Sequence, residues 1–141
     1  MKKFTSNSQK IGELGENVAC IFLEKRGFEI LERNYTKKWG EIDIIAKKAY
    51  KIYFIEVKAV SRSLDSLEEE NENSEFKEID NRYKPEENLH PWKLKRLSRV
   101  IQTYLIHKRI GNTEWQFDLA LVYLDLNKRR ARVKLMSNII L

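Results

Sequence analysis

The chain has 141 residues, of which 42% are hydrophobic, 11% aromatic and 34% charged, enough apolar material for one packed domain beneath a highly charged surface but too little length for a second core. The formal net charge is +6, and the single cysteine, Cys20, excludes an intrachain disulfide framework or a thiolate zinc site and fits a reducing, cytoplasmic setting. The opening MKKFTSNSQKIGELG carries two lysines with no apolar run behind them, and no stretch approaches the roughly 18 apolar residues of a membrane span, so neither export nor membrane association is expected.

From about Ser8 to Arg26, Ile11, Leu14, Val18, Ala19, Phe22 and Leu23 recur at helical spacing, and Gly27 stands where a helix C-cap belongs. FEILERNY, GEIDIIAKK and KIYFIEVKAV then read as three strands of an antiparallel meander, the last two joined by a tight turn near Ala49 and Tyr50. Residues 63–89 hold no sustained apolar period and are rich in Glu, Asn, Asp and Ser, the pattern of an acidic, mobile or locally disordered insertion. Between Leu64 and Asn88, ten acidic residues face three basic ones. The remainder of the chain is therefore strongly basic, which suits a polyanionic partner; a merely soluble basic protein accounts for the charge equally well.

Pro91 opens a second helix, with Leu94, Leu97, Val100, Ile101, Tyr104 and Leu105 on one face to about Lys108. EWQFDLALVYLDL reads as a buried strand, and ARVKLM, after a turn at Asn127 and Lys128, as an edge strand. The predicted order is αβββαββ.

With the hairpin turn centred between Ala49 and Tyr50, Asp43 falls opposite Glu56 and Glu41 opposite Lys58, so four charged groups crowd one face of the sheet, above Ile45 and Phe54. Ile42, Ile44, Tyr53, Ile55 and Val57 take the other face. Two carboxylates side by side in a hydrophobic sheet repel each other and are costly to desolvate. A hard divalent cation, Mg²⁺ or alternatively Mn²⁺, would compensate them and leave positions for water and phosphate oxygens. Lys58 is expected as an ammonium favoured by the two acids, orienting a nucleophile or stabilising a pentacovalent phosphate. The competing reading is a static salt-bridge cluster.

On the first helix, Glu16 falls at the margin of the apolar arc, facing either the cleft or solvent. On the second, Lys93 projects to the apolar side, with Lys95, Arg96 and Arg99 on the adjoining flank. Cations there oppose the helix dipole, which is intelligible if phosphate binds; surface solubility is the alternative for all but Lys93. His90 and His107 stand apart, which gives no basis for zinc or histidine chemistry. Asp118 interrupts a hydrophobic strand and fits a supporting or a strand-end role. Arg130, Arg132 and Lys134 serve either phosphate contact or protection of an exposed edge.

In order and spacing, GELGENVAC, GFEILERNY, GEIDIIA, FIEVK, KLKRL and QFDLALV resemble the YraN family of bacterial proteins, itself similar to archaeal Holliday-junction resolvases and the PD-(D/E)xK nuclease superfamily. The resemblance implies an α/β, restriction-endonuclease-like αβββαβ core with a mixed sheet flanked by helices, plus the C-terminal edge strand. It implies that Glu16, Asp43 and Glu56 match the acids around Mg²⁺, Lys58 the site lysine and Lys93 a basic residue on the following helix. Two departures stand out. Val60 occupies a position where the family usually has an arginine, leaving Arg62 as a displaced substitute, and the acidic segment is longer than the usual connection.

Together these readings lead to Mg²⁺-dependent hydrolysis of phosphodiesters in DNA rather than RNA, in branched or processed structures. Asp43, Glu56, Glu16 and Lys58 form the expected site, and Lys93, Lys95, Arg96, Arg99 and Arg62 the nucleic-acid contacts. The alternative is a non-catalytic nucleic-acid-binding or adaptor protein that retains the fold. Symmetric cleavage of two strands would need two sites and hence a homodimer, and the acidic 64–88 segment is a candidate for shielding the basic cleft or binding a protein partner.

Overall fold

Helix α1 runs over Asn7–Lys25 and buries Gly15, Ala19, Cys20 and Leu23, one stripe along its length. It stops where expected. Gly27 has a φ of 89°, a backbone conformation that costs glycine little. Its amide donates to the Glu24 carbonyl at 3.1 Å and the next amide, Phe28, to Leu23 at 3.0 Å, the paired bonds of a Schellman cap.

The computed structural model describes residues 7–64 and 91–141. After α1 come β1 (Glu29–Lys37), β2 (Gly40–Lys48), β3 (Lys51–Ser61), α2 (Pro91–His107), β4 (Glu114–Asp125) and β5 (Arg130–Met136), the predicted order. The strands lie in one sheet as β1-β2-β3-β4-β5. β3 and β4 run parallel, from Lys51↔Glu114 to Ser61↔Leu124, and every other pairing is antiparallel. A parallel neighbour requires a crossover, which α2 supplies. This is a mixed α/β sheet of the restriction-endonuclease-like kind, with β5 as an edge strand. Among the described residues no helix is long and apolar enough to cross a membrane.

Two cores form, one on each face of the sheet. Leu97, Val100, Ile101, Tyr104 and Leu105 of α2 pack on Ile42, Ile45, Ile52, Phe54 and Phe117. Ala19, Cys20 and Leu23 of α1 pack on Ile44, Ala46, Ile55, Ala120, Val122 and Leu124. Each large side chain so buried contributes roughly 1.5–3 kcal/mol. Ile42 corrects the sequence-based face assignment, because it joins the α2 side while Ile44 joins the α1 side. Strict alternation assumes a regular pleat. Opposite this segment, Asn34 takes a φ of 54°, and the β1–β2 pairing steps from Arg33↔Ile44 to Tyr35↔Ile42 past Asn34 and Asp43.

Two glycines set how closely the helices lie on the sheet. A Cβ on Gly15 would come within 2.4 Å of the Ala59 Cβ, and one on Gly40 would lie 3.1 Å from the Val100 Cγ2. The first fixes α1 against β3 beside Glu16, the second α2 against the start of β2. Leu64 lies at the edge of the predicted insertion. Leu64 is buried with Leu121 and Tyr123, and its amide donates to Asp125 Oδ2 at 3.0 Å. The rest of the acidic segment lies outside the described residues.

Candidate functional site

The predicted hairpin register holds from Lys48↔Lys51 through Ile44↔Ile55, with Ala49 at a φ of 55° in the turn. Beyond that pair a side chain takes over from the backbone. The Val57 amide donates to Asp43 Oδ2 at 2.8 Å, so Asp43 does not meet Glu56 as a directly opposed ladder partner. The two carboxyl groups nevertheless interact at the end of the β2–β3 ladder. Burial pushes the Asp43 carboxyl up most strongly, the Glu56 charge adds to this, and the Val57 bond pulls it back. The Glu16 charge and the hydrogen bond shared with Glu56 raise it further, from 3.8 to about 8.

Glu56 is 8% exposed. Its Oε1 accepts from Lys93 Nζ at 3.3 Å and lies 3.8 Å from Lys58 Nζ. Lys93 thus projects inward from the first turn of α2 as its helical position predicted. Lys58 departs from expectation. Glu56 and Asp43 do favour its ammonium form, but desolvation first and the Lys93 charge second outweigh them, and its pKa falls below the ordinary 10.5.

Glu16 leans toward the site. With Glu13, Glu41 and Asp43 it lines a cavity of about 220 Å³ between α1 and the sheet, completed by Gln9, Gly12 and Asn34. Glu41, predicted opposite Lys58, sits past the end of the β2–β3 ladder and faces this cavity. Arg33 steadies Glu16, its Nη2 lying 3.6 Å from Glu16 Oε2 and donating to Asn17 Oδ1 at 2.8 Å.

The basic residues divide into groups. Lys95, Arg96 and Arg99 are exposed on α2. The Arg96 guanidinium lies 4.4 Å from the Trp92 ring centroid and that of Arg99 4.2 Å from Trp39. Arg62 is not gathered at the carboxylates. It lies beyond the end of β3, its guanidinium 5.5 Å from the Tyr123 ring, and four residues of extended chain, roughly 13 Å, separate it from Lys58.

The family model for the uncharacterised protein family UPF0102 matches residues 15–122. This chain belongs to that family. It is 37% identical over 115 residues to a UPF0102 protein of Campylobacter jejuni subsp. doylei, covering 82% of this chain and 85% of the relative. It is 33% identical over 132 residues to one from Caldicellulosiruptor saccharolyticus, covering 94% and 98%, and 40% identical over 104 residues to one from Helicobacter hepaticus, covering 74% and 76%. UPF0102 is the YraN family that the motif string resembles. The matched span contains Glu16, Asp43, Glu56, Lys58 and Lys93.

Three features of this UPF0102 site were not legible beforehand: the Arg33–Glu16 pair, the left-handed Asn34, and the Trp–Arg pairs. Only Asn34 carried a local signal, since asparagine tolerates positive φ better than most residues. Elsewhere, Asp118 is 1% exposed and structural in its contacts, its Oδ1 accepting from Gln116 Nε2 at 2.7 Å and the Asn138 amide at 2.8 Å. Among the described residues no three His, Cys, Asp or Glu side chains converge as a ready metal cage. Asp43 and Glu56, with the Glu16 charge near enough to act on Asp43, are the carboxyl groups that could hold a hard ion keeping part of its hydration.

Proposed function

We propose that this UPF0102 protein is a divalent-cation-dependent phosphodiester hydrolase acting on DNA. The observation that carries the reading is the half-buried Asp43 carboxyl set beside that of Glu56 at the end of the β2–β3 ladder, a repulsion that a bound cation would relieve. Asp43 and Glu56, assisted by Glu16, would hold Mg²⁺ or Mn²⁺. When bound, such an ion supplies positive charge to a phosphodiester and acidifies water. Lys58 and Lys93, both at Glu56 Oε1, supply cations where an anionic transition state needs them. Lys95, Arg96 and Arg99 contact backbone phosphates independently of sequence.

The test is cleavage of nicked, flapped and four-way DNA with Mg²⁺ or Mn²⁺. Asp43→Asn and Lys58→Ala should each reduce the rate by about a hundredfold or more; unchanged cleavage in both folded variants overturns the reading. A second reading, a non-catalytic nucleic-acid-binding module, is favoured by one observation: Glu56 is already accompanied by two lysines. Calorimetric titration with Mn²⁺ separates them, since the module predicts no binding of the ion even with DNA present.

A further inference from the structure

Trp92, Lys95, Arg96 and Arg99 are spaced at i, i+3, i+4 and i+7 and are all exposed, so they form one stripe on the outer face of α2. At its far end Arg99 stacks on Trp39, next to Gly40, where β2 and α2 make their close approach. Asp43 lies three residues further along β2, roughly 10 Å. At the near end, Lys93 turns from the same helical turn to Glu56. The stripe therefore runs up to the acidic site from outside.

Its composition discriminates between partners. Phosphates require only the cations. An exposed indole on such a surface costs burial that would otherwise stabilise the fold, and Trp92 remains 56% exposed with a guanidinium already 4.4 Å from its ring centre. Duplex DNA offers phosphates and base edges to a surface, its base faces being stacked on one another. Unpaired bases offer flat faces that stack on indoles and guanidinium planes.

Resting on the nucleic-acid reading above, we infer that this stripe binds the single-stranded part of the substrate, with Trp92 as the stacking platform for an unpaired base and Lys95, Arg96 and Arg99 tracking its phosphates. The site then takes DNA containing an unpaired segment next to the bond addressed by Asp43 and Glu56. The Trp39–Arg99 pair is a second stacking plane.

The test uses the full chain with chelator and about 20-nucleotide fluorescent oligo(dT), against a duplex of equal length. The wild type should bind the strand more tightly than the duplex, with tryptophan fluorescence quenched. Trp92→Ala should weaken strand binding about tenfold or more, the effect of losing one base–aromatic stack, and duplex binding less than twofold. Trp92→Phe should restore most of the strand affinity. Unchanged strand affinity in Trp92→Ala, or parallel loss for strand and duplex, overturns the inference, the latter because Trp92 would then only support Arg96. Equal quenching by poly-glutamate would assign the stripe to an acidic protein segment and also overturn it. If duplex alone binds, this inference falls and the nucleic-acid reading stands; if neither binds, both fall.

Discussion

Asp43 and Val57 lie on neighbouring strands, yet a side chain joins them: the Val57 amide donates to the Asp43 carboxylate at 2.8 Å, just past the last backbone pair, Ile44↔Ile55. A carboxylate thus satisfies an amide that a regular ladder would have paired with a carbonyl, and the strands can part there with their polar groups occupied. The same bond holds Asp43 in the half-buried position where desolvation first and the Glu56 charge second raise its pKa.

The first prediction concerns pH in the chelated protein. Folded Asp43 titrates near 8 against 3.8 for the ordinary group, so between those values the native chain holds a proton that the unfolded chain has lost. Stability from this group is full below pH 4 and falls as pH rises toward 8. Asp43→Asn removes that slope. At pH 8.5 the variant should be more stable than the wild type by at least about 1 kcal/mol, the order of one pK unit, and melt at a higher temperature, while at pH 4 the two should nearly coincide. Differential scanning calorimetry in chelator checks this, and a variant less stable at pH 8.5 contradicts it.

Lys93 competes with any cation for Glu56. Lys93→Ala should therefore tighten Mn²⁺ binding severalfold while weakening DNA binding and shallowing its salt slope by about one. Calorimetry reads the first and fluorescence anisotropy against salt the second. Movement of both affinities in the same direction would contradict the arrangement.

Gly15 and Gly12 form an internal control. Gly15→Ala places a methyl 2.4 Å from the Ala59 Cβ, an overpacking that should cost about 1–3 kcal/mol and displace α1 with Glu16. Gly12→Ala meets nothing within 4 Å and should stabilise the helix by up to about 1 kcal/mol. Urea unfolding of both variants measures the contrast, and equal effects would refute the tight α1–β3 contact.

Asp118 ties the C-terminal segment to β4. It accepts the Asn138 amide, and the Ile139 amide donates to the Phe117 carbonyl at 2.7 Å. Asp118→Ala leaves the Asn138 amide unpaired, a cost of about 1–3 kcal/mol. Hydrogen exchange at residues 138 and 139 should accelerate with little change in the core of β3. Unchanged protection would remove Asp118 from this role.

The sequence by itself determined the elements and most of the register. Local signals suffice for a helix stripe ending at Gly27, for alternating strands around a short turn, and for Pro91 at a helix start, because each depends on neighbours within a few residues. The β2–β3 register follows from the turn position alone, and it is enough to bring Asp43, Glu56 and Lys58 to one end of the hairpin. Tertiary structure decided what those groups experience. Lys58 is pulled below its ordinary range first by desolvation and then by Lys93, which arrives from α2, 35 residues away in sequence. Ile42 lies on the α2 face, against strict alternation with Ile44, in the segment of β2 opposite the positive-φ Asn34 of another strand. Arg62 stays outside the cluster although it lies only four residues beyond Lys58, because an extended chain carries it along the sheet instead of back to the site. Charge balance and side-chain direction depend on distances between segments remote in sequence, and those distances are fixed only when both faces of the sheet are packed.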